Sequence, residues 1–163
     1  MGYYDDISKG YEELHRDEQL KKVNIILSKL KLSHDDKLLD VACGSGLYLD
    51  MFKCQATGLD PAKKLIKKYK GKNKVVVGRA EELPFPDKSF DIVTCITAVH
   101  NFEDIEQGLR EMERVGKDRY IISILKRSPK LATIEKLIRK IFRVEEIVEE
   151  DKDNIFFCRK KKE

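Results

Sequence analysis

Asp40, the glycine pair Gly44 and Gly46, and Asp60 are the residues whose types and spacing could do chemistry together. Gly44-Ser45-Gly46 removes side chains from two positions of one bend, so the backbone there can approach a ligand closely. A lone Gly-x-Gly does not name that ligand. The third glycine of the dinucleotide fingerprint would fall at Leu49, which disfavours tight pyrophosphate packing and a nicotinamide-dependent oxidoreductase. Asp40, just before the bend, points the same way: a carboxylate there can hold a cationic amino group and would repel phosphate. Asp60 can accept hydrogen bonds from both hydroxyls of a ribose, or it can cap a helix that starts at Pro61. Asp40 and the glycine pair upstream weigh toward the ribose.

The elements that must position these residues follow from hydrophobic spacing. Residues 17–32 place Leu20, Val23, Ile26, Leu27 and Leu30 at helical intervals, and residues 33–36 end that helix. The nearly continuous apolar run Leu38-Leu39-Asp40-Val41-Ala42-Cys43 predicts a strand covered on both faces, followed by a short helix over 47–52. Further strands are predicted at 56–59, 75–77, 90–96 and 120–125, with helices after Pro61, over 103–115 and over 131–142. Two last strands, 144–148 and 155–158, flank a charged turn and form an antiparallel pair. Strands alternating with helices demand right-handed crossovers, hence an α/β, doubly wound, mainly parallel sheet of seven strands with helices on both faces. Ligands of such sheets bind outside the carboxyl ends of the strands where strand order reverses, and Asp40, Gly44, Gly46, Asp60, Arg79, Glu81 and the 97–104 stretch all fall there.

A chain of 163 residues fits a single domain, here a helical segment over 1–36 that covers the site and an α/β core over 37–163. No stretch approaches the ~20 apolar residues that span a bilayer, and Asp5 and Asp6 stand where a signal core would be apolar. A cytoplasmic protein is expected. The four cysteines, Cys43, Cys54, Cys95 and Cys158, form no Cys-x-x-Cys pair, so no metal site and no disulfide framework are expected. Heavy use of Lys and Glu with few Gln and Asn is the composition of hyperthermophile proteins. Net charge is +4, with the basic excess after Lys126; this suits an anionic partner such as RNA, or simply a solvated helix face.

From Leu38 to Val115 the chain resembles the class I S-adenosylmethionine-dependent methyltransferases, a Rossmann-like family, and most of all the branch of the ubiquinone/menaquinone-biosynthesis enzymes. The matching residues are Leu39-Asp40-Val41-Ala42-Cys43-Gly44-Ser45-Gly46, Gly58-Leu59-Asp60, Gly78-Arg79-Ala80-Glu81-Glu82-Leu83-Pro84-Phe85, Phe90-Asp91-Ile92-Val93 and Leu109-Arg110-Glu111-Met112-Glu113-Arg114-Val115. The resemblance implies S-adenosylmethionine as cofactor and S-adenosylhomocysteine as product. It implies that Asp40, Ala42, Gly44, Ser45 and Gly46 surround the methionine part, that Asp60 holds the ribose, and that Ala80 and Glu81 lie beside adenine with Leu59 and Leu83 as apolar neighbours. Thr97 and His100 would border the sulfonium and the acceptor opening. Tyr4-Asp5 and Tyr11 resemble a tyrosine region that folds over the cofactor, or pack in the core.

Two departures stand out. Relatives commonly have Asp at the position of Arg79, where it bonds the adenine amino group, so Glu81 or a backbone group must substitute, or adenine is held more loosely. The Gly-rich turn before the fifth strand is shortened to Gly116-Lys117-Asp118, expected to be a surface connection.

Methyl transfer from a sulfonium needs alignment and exclusion of water more than covalent help. A base is required only for a nucleophile with a tightly held proton. His100 is the candidate base, with Asp104 as orienting partner and Tyr11 as another possibility; His100 can equally be a packing residue at a helix entrance. Cys95-Ile96-Thr97-Ala98 stands where amino-group methyltransferases carry Asn/Asp-Pro-Pro-Tyr, which disfavours adenine N6 and glutamine as acceptors. No carboxylate cluster suggests a catalytic magnesium. The expected acceptor is a small molecule, with RNA as the macromolecular alternative and a catalytically inactive cofactor-binding scaffold or sensor as the rival class. A monomer or homodimer is expected, and a resemblance to the tRNA wobble-uridine methyltransferases allows a small activating subunit.

Overall fold

The computed structural model describes residues 2–162, with side chains from residue 13 onward. The chain forms two compact units, residues 1–31 and residues 32–163. In the first unit a single helix, α1, runs over Gly2–Lys29. It begins well before residue 17: in the sequence Tyr4, Ile7, Tyr11 and Leu14 recur at helical intervals, and Glu12, Glu13 and Leu14 are good helix formers. The side chains of Tyr4, Asp5 and Tyr11 lie outside the described residues.

The second unit is a seven-stranded sheet in the order β3-β2-β1-β4-β5-β7-β6, formed by β1 (Lys37–Val41), β2 (Gln55–Asp60), β3 (Lys74–Val77), β4 (Phe90–Ile96), β5 (Gly116–Leu125), β6 (Phe142–Glu149) and β7 (Asp153–Lys160). Strands β1 to β5 pair in parallel. β7 inserts between β5 and β6 and runs against both, so the expected hairpin is present. The central strands are buried along most of their length, as their unbroken apolar runs require.

Alternate residues of the strands feed one apolar core, in which Leu39, Val41, Leu59, Val93, Cys95, Tyr120 and Ile122 meet two helices. These are α3 (Ile105–Val115), which buries Leu109, Met112 and Val115, and α4 (Leu131–Ile141), which buries Ile134, Ile138 and Ile141. Both sets follow the three-to-four-residue spacing of a helix face. No helix among the described residues is long and apolar enough to cross a membrane. The cysteines are free, with Cys43, Cys95 and Cys158 buried.

Several boundaries differ from the sequence reading. The helix expected over 47–52 is a three-residue 3-10 turn, Leu49–Met51. The helix after Pro61 is one turn, α2 (Lys63–Ile66), because Lys63, Lys64, Lys67 and Lys68 crowd like charges at helical spacing and Gly71 follows. α3 starts at Ile105, since Asp104 spends its carboxylate on the Gln107 amide as the N-cap. Gly116-Lys117-Asp118 is no surface turn: α3 passes straight into β5, with the Gly116 amide still bonded to the Met112 carbonyl. A Cβ at Gly116 would collide with the Tyr120 ring, whose hydroxyl donates to the Glu113 and Gly116 carbonyls at 2.9 Å.

Candidate active site

β1 and β4 are neighbours, yet chain order runs outward from them in opposite directions, so their carboxyl ends flank the point where strand order reverses. Asp40 lies on β1 directly across from Thr94 of β4. Its side chain is fully buried, and Thr94 Oγ1 donates to Oδ1 at 2.7 Å. The other oxygen, Oδ2, is buried with no hydrogen-bond partner. Burial pushes the Asp40 carboxyl up to about 7, against the pull of Thr94 and of the nearby Tyr48 hydroxyl, and Asp60 adds to the rise. A buried carboxylate left half-satisfied is costly, and a cationic donor arriving at Oδ2 would remove that cost.

The bend after β1 is built from backbone that L side chains resist. Ala42, Gly44 and Gly46 have φ of 64°, 60° and 74°. For Ala42 this conformation costs about 1–2 kcal/mol, the kind of local strain found at ligand clamps. The two glycines serve different ends. A Cβ at Gly44 would meet nothing within 4 Å, so that side of the bend is open. A Cβ at Gly46 would lie 3.0 Å from Tyr69 Cε2 and closer still to Cδ2, so Gly46 makes room for a tyrosine ring. Tyr69 is pinned there, its hydroxyl donating to Asp50 at 2.5 Å and accepting the Asn73 amide at 2.9 Å. Ser45 lies between the two glycines.

Asp60 at the end of β2 is nearly buried and ties the bend to its neighbour strand: the Gly44 amide donates to Oδ2 at 2.9 Å and the Ala62 amide to Oδ1 at 2.8 Å. Each carboxylate oxygen keeps further acceptor capacity. Asp60 therefore closes a turn onto the Ala62 amide and does not cap a helix at Pro61, since α2 begins at Lys63 with Ala62 as its N-cap and no side-chain cap. Asp40, Gly44 and Asp60 are thus brought together.

The residues assigned to an adenine side divide. Leu59, Ala80 and Leu83 are buried in the apolar core. Glu81 is turned to α3, accepting the Asp104 amide at 3.1 Å, and its carbonyl accepts from Gln107. Arg79 pairs with Glu103 at 3.0 Å and lies 3.9 Å from Glu81. The loop over 83–87 is held by Arg114, whose guanidinium donates to the Leu83 and Phe85 carbonyls, Asp87 and Glu111.

On the other side, Thr97 follows β4 at φ 53°. For a β-branched residue this is an outlier costing on the order of 1–3 kcal/mol. Its amide donates to Ser123 Oγ at 3.0 Å and its hydroxyl to Asp153 Oδ2 at 2.6 Å. His100 sits in the short turn Val99–Asn101, half-buried, with Nδ1 buried and unpartnered. Burial and nearby Lys130 hold its pKa below the ordinary value, so the imidazole is neutral near pH 7, while Asp153 acts against them. Asp104 is not brought to His100; it caps α3. Thr94, Tyr48, Tyr69 and Asp153 were not singled out from sequence, and only cross-strand register and folding of distant segments bring them here.

Residues 39–123 match the family described as methyltransferase domain. Over 118 residues the chain is 36% identical to the uncharacterized protein MJ1252 of Methanocaldococcus jannaschii, covering 71% of this chain and 47% of that protein. It is 33% identical to the demethylmenaquinone methyltransferase of Thermotoga maritima over 79% of this chain and 62% of that enzyme. Its fold is similar to a chain from the complex between the Haloferax volcanii Trm112 methyltransferase activator and a methyltransferase, with TM-score 0.77, 16% identity, and 94% and 95% of the two chains covered. The chain spans about half the length of the curated relatives it matches.

Proposed function

The chain belongs to the methyltransferase-domain family, in its class I S-adenosylmethionine-dependent branch, and from that membership we propose that it binds S-adenosylmethionine at the β1–β2 bend and methylates a small-molecule acceptor. The observation that carries the reading is the fully buried Asp40 carboxylate with Oδ2 unpartnered, on the strand that leads into the Gly44 bend. A methionine ammonium is the donor such an oxygen lacks. Asp60, already anchored by two amides, has acceptor capacity left for ribose hydroxyls.

When bound, S-adenosylmethionine supplies a methyl group already made electrophilic by the sulfonium. The chain's own part is to bind, align and exclude water, which can supply ~7–11 kcal/mol in favourable systems. Asp40 takes the amino group, Gly44 and Ser45 present backbone, and Asp60 fixes the sugar. The 97–101 segment lines the acceptor side. There the neutral His100 imidazole is the candidate to take a proton when the acceptor carries one. Tyr11 remains a second candidate base.

The demethylmenaquinone methyltransferases among the relatives support a small-molecule acceptor. One feature favours RNA as the second reading: a groove of about 300 Å³ in which Arg139, Arg143, Lys161 and Lys162 surround Phe142 and Val144. The fold likeness to a chain of a Trm112 complex supports a small activating subunit as a partner. Free, mostly buried cysteines support a cytoplasmic setting, and shared-charge networks such as Glu106 with Arg110 and Lys140 support a heat-adapted source.

The test is calorimetric titration with S-adenosylhomocysteine, followed by incubation with methyl-labelled S-adenosylmethionine and cell extract. Saturable binding with label in the organic-extractable fraction is the expected result. Label in RNA instead would move the acceptor to the second reading. Binding without transfer to any fraction would favour a scaffold, and absence of binding would remove the cofactor assignment.

A further inference from the structure

The C-terminal hairpin sends a carboxylate to the acceptor side of the sheet that the proposed mechanism does not use. Asp153 is the first residue of β7 and is fully buried. Register brings it there: Ser123 of β5 stands across from Ile96, the last residue of β4, and Asp153 stands across from Leu125. Three strand ends therefore converge on Thr97.

The hairpin turn does not need that side chain. Glu150 closes the turn, its Oε1 accepting the Lys152 amide at 2.8 Å and the Asp153 amide at 2.7 Å, while its own amide donates to the Asp153 carbonyl at 2.9 Å. The Asp153 carboxylate is instead directed across the sheet to the Thr97 hydroxyl at 2.6 Å. A carboxylate is an expensive residue to bury for packing alone, since an apolar side chain would serve better. Thr97 in turn holds a left-handed conformation unfavourable for its type, and such a conformation persists only where the surroundings over-determine it. Ser123 Oγ and the Ser123 carbonyl, both at 3.0 Å from the Thr97 amide, add to that constraint. Beyond Thr97 the chain enters the turn that carries His100, whose carbonyl accepts from Lys130 Nζ at 3.1 Å.

We propose that Asp153 is a positioning residue for the methyl-transfer site: with Ser123 it locks Thr97 in its left-handed conformation and so fixes the 97–101 segment, with His100, on the acceptor side of the cofactor. This rests on the methyltransferase reading. Among the described residues, Lys130 and Asp153 are the charged groups felt by His100. The lock has two separable parts, the hydrogen bond that holds Thr97 and the negative charge felt by the imidazole.

The test compares wild type with Asp153→Asn, Asp153→Ala and the double variant Thr97→Gly/Asp153→Ala. It reads the His100 titration by NMR without ligand and S-adenosylhomocysteine affinity by calorimetry. Asp153→Asn keeps an acceptor for Thr97 and removes the charge, so the His100 midpoint falls while affinity stays within about twofold. Asp153→Ala loses both, and affinity drops on the order of tenfold. Glycine adopts the left-handed conformation without a lock, so the double variant recovers part of that loss. Should Asp153→Ala fail to fold, the Asn variant and the double variant carry the test. An unchanged His100 midpoint in Asp153→Asn, or a double variant that binds no better than a folded Asp153→Ala, would overturn the proposal. Failure of wild type to bind S-adenosylhomocysteine would overturn the cofactor reading instead, and the ligand-free His100 titration would still decide whether Asp153 acts on that segment.

Discussion

The carboxylate of Asp60 holds the amide of Gly44 at 2.9 Å, so the last residue of β2 fixes the bend that follows β1. The sequence alone suggests a ligand-binding acid that could be removed without harm to the fold. The second bond, to the Ala62 amide at 2.8 Å, and the near-complete burial of Asp60 say otherwise. Asp60→Ala is expected to lower stability by about 2–3 kcal/mol, since two amides lose a charged acceptor. It should also weaken S-adenosylhomocysteine binding by roughly 1–3 kcal/mol. Chemical denaturation and calorimetry measure the two losses separately; a variant as stable as wild type would mean the bend holds itself.

Asp40 ties stability and binding to pH in opposite senses. Its folded-state carboxyl is pushed up to about 7 from an ordinary 3.8, in an environment formed by Thr94, Tyr48, Cys43, Cys95 and Asp60. The folded chain therefore keeps a proton that the unfolded chain loses, and wild-type stability falls as pH rises from about 4 to about 7. Asp40→Asn lacks this dependence, so without ligand it gains on wild type across that window, by as much as roughly 4 kcal/mol. Affinity for S-adenosylhomocysteine runs the other way, strengthening as Asp40 ionises toward and above pH 7. Melting curves and titrations across pH 5.5 to 8.5, as a chosen range of about three units, check both; equal pH slopes in wild type and variant would remove Asp40 from the site.

Periodicity made the parallel strands legible, because buried strands advertise themselves as unbroken apolar runs: Phe90-Asp91-Ile92-Val93-Thr94-Cys95-Ile96 is β4 to the residue. The acids and glycines of the bend were legible for a different reason, since Gly44 and Gly46 occupy backbone that disfavours other residues. What stayed hidden is whatever depends on register or on contact between distant segments. Nothing local marks Thr94 as the partner of Asp40, or Asp153 as the partner of Thr97 56 positions away. The misassigned His100–Asp104 pair shows the limit of spacing arguments: one helical turn apart in sequence, the two residues are separated by a helix boundary, and the carboxylate goes to the helix amide.

The two glycines of the bend should respond differently to alanine. Gly44→Ala meets open space and carries only the left-handed penalty, about 1–2 kcal/mol. Gly46→Ala carries that penalty and also displaces the Tyr69 ring, with its bonds to Asp50 and Asn73. Combining Gly46→Ala with Tyr69→Ala should cost less than the sum of the two single changes, because removing the ring also removes the clash and the loss of its bonds would otherwise be counted twice. Denaturation of the four variants gives the coupling directly, and strict additivity would show that Tyr69 does not pack on the bend.

Arg114 is the residue that fixes the loop between β3 and β4. Its guanidinium donates to the Leu83 carbonyl at 3.0 Å, the Phe85 carbonyl at 2.9 Å and Asp87 at 2.8 Å, and is itself held by Glu111 at 2.6 Å. Glu111 completes the clamp from the other side by accepting the Leu83 amide at 2.9 Å. A planar fork can serve three diverging acceptors at once; an ammonium at the end of a flexible stem cannot. Arg114→Lys therefore keeps the charge but frees the loop, at a cost of about 2 kcal/mol, discounted from the sum of its bonds because the side chain is partly exposed. Amide exchange at Leu83, Phe85, Asp87 and Lys88 should speed up while exchange in β1 and β4 follows only the global change. If those loop amides keep wild-type protection in Arg114→Lys, charge rather than the fork holds the loop, and the clamp assigned to Arg114 is wrong.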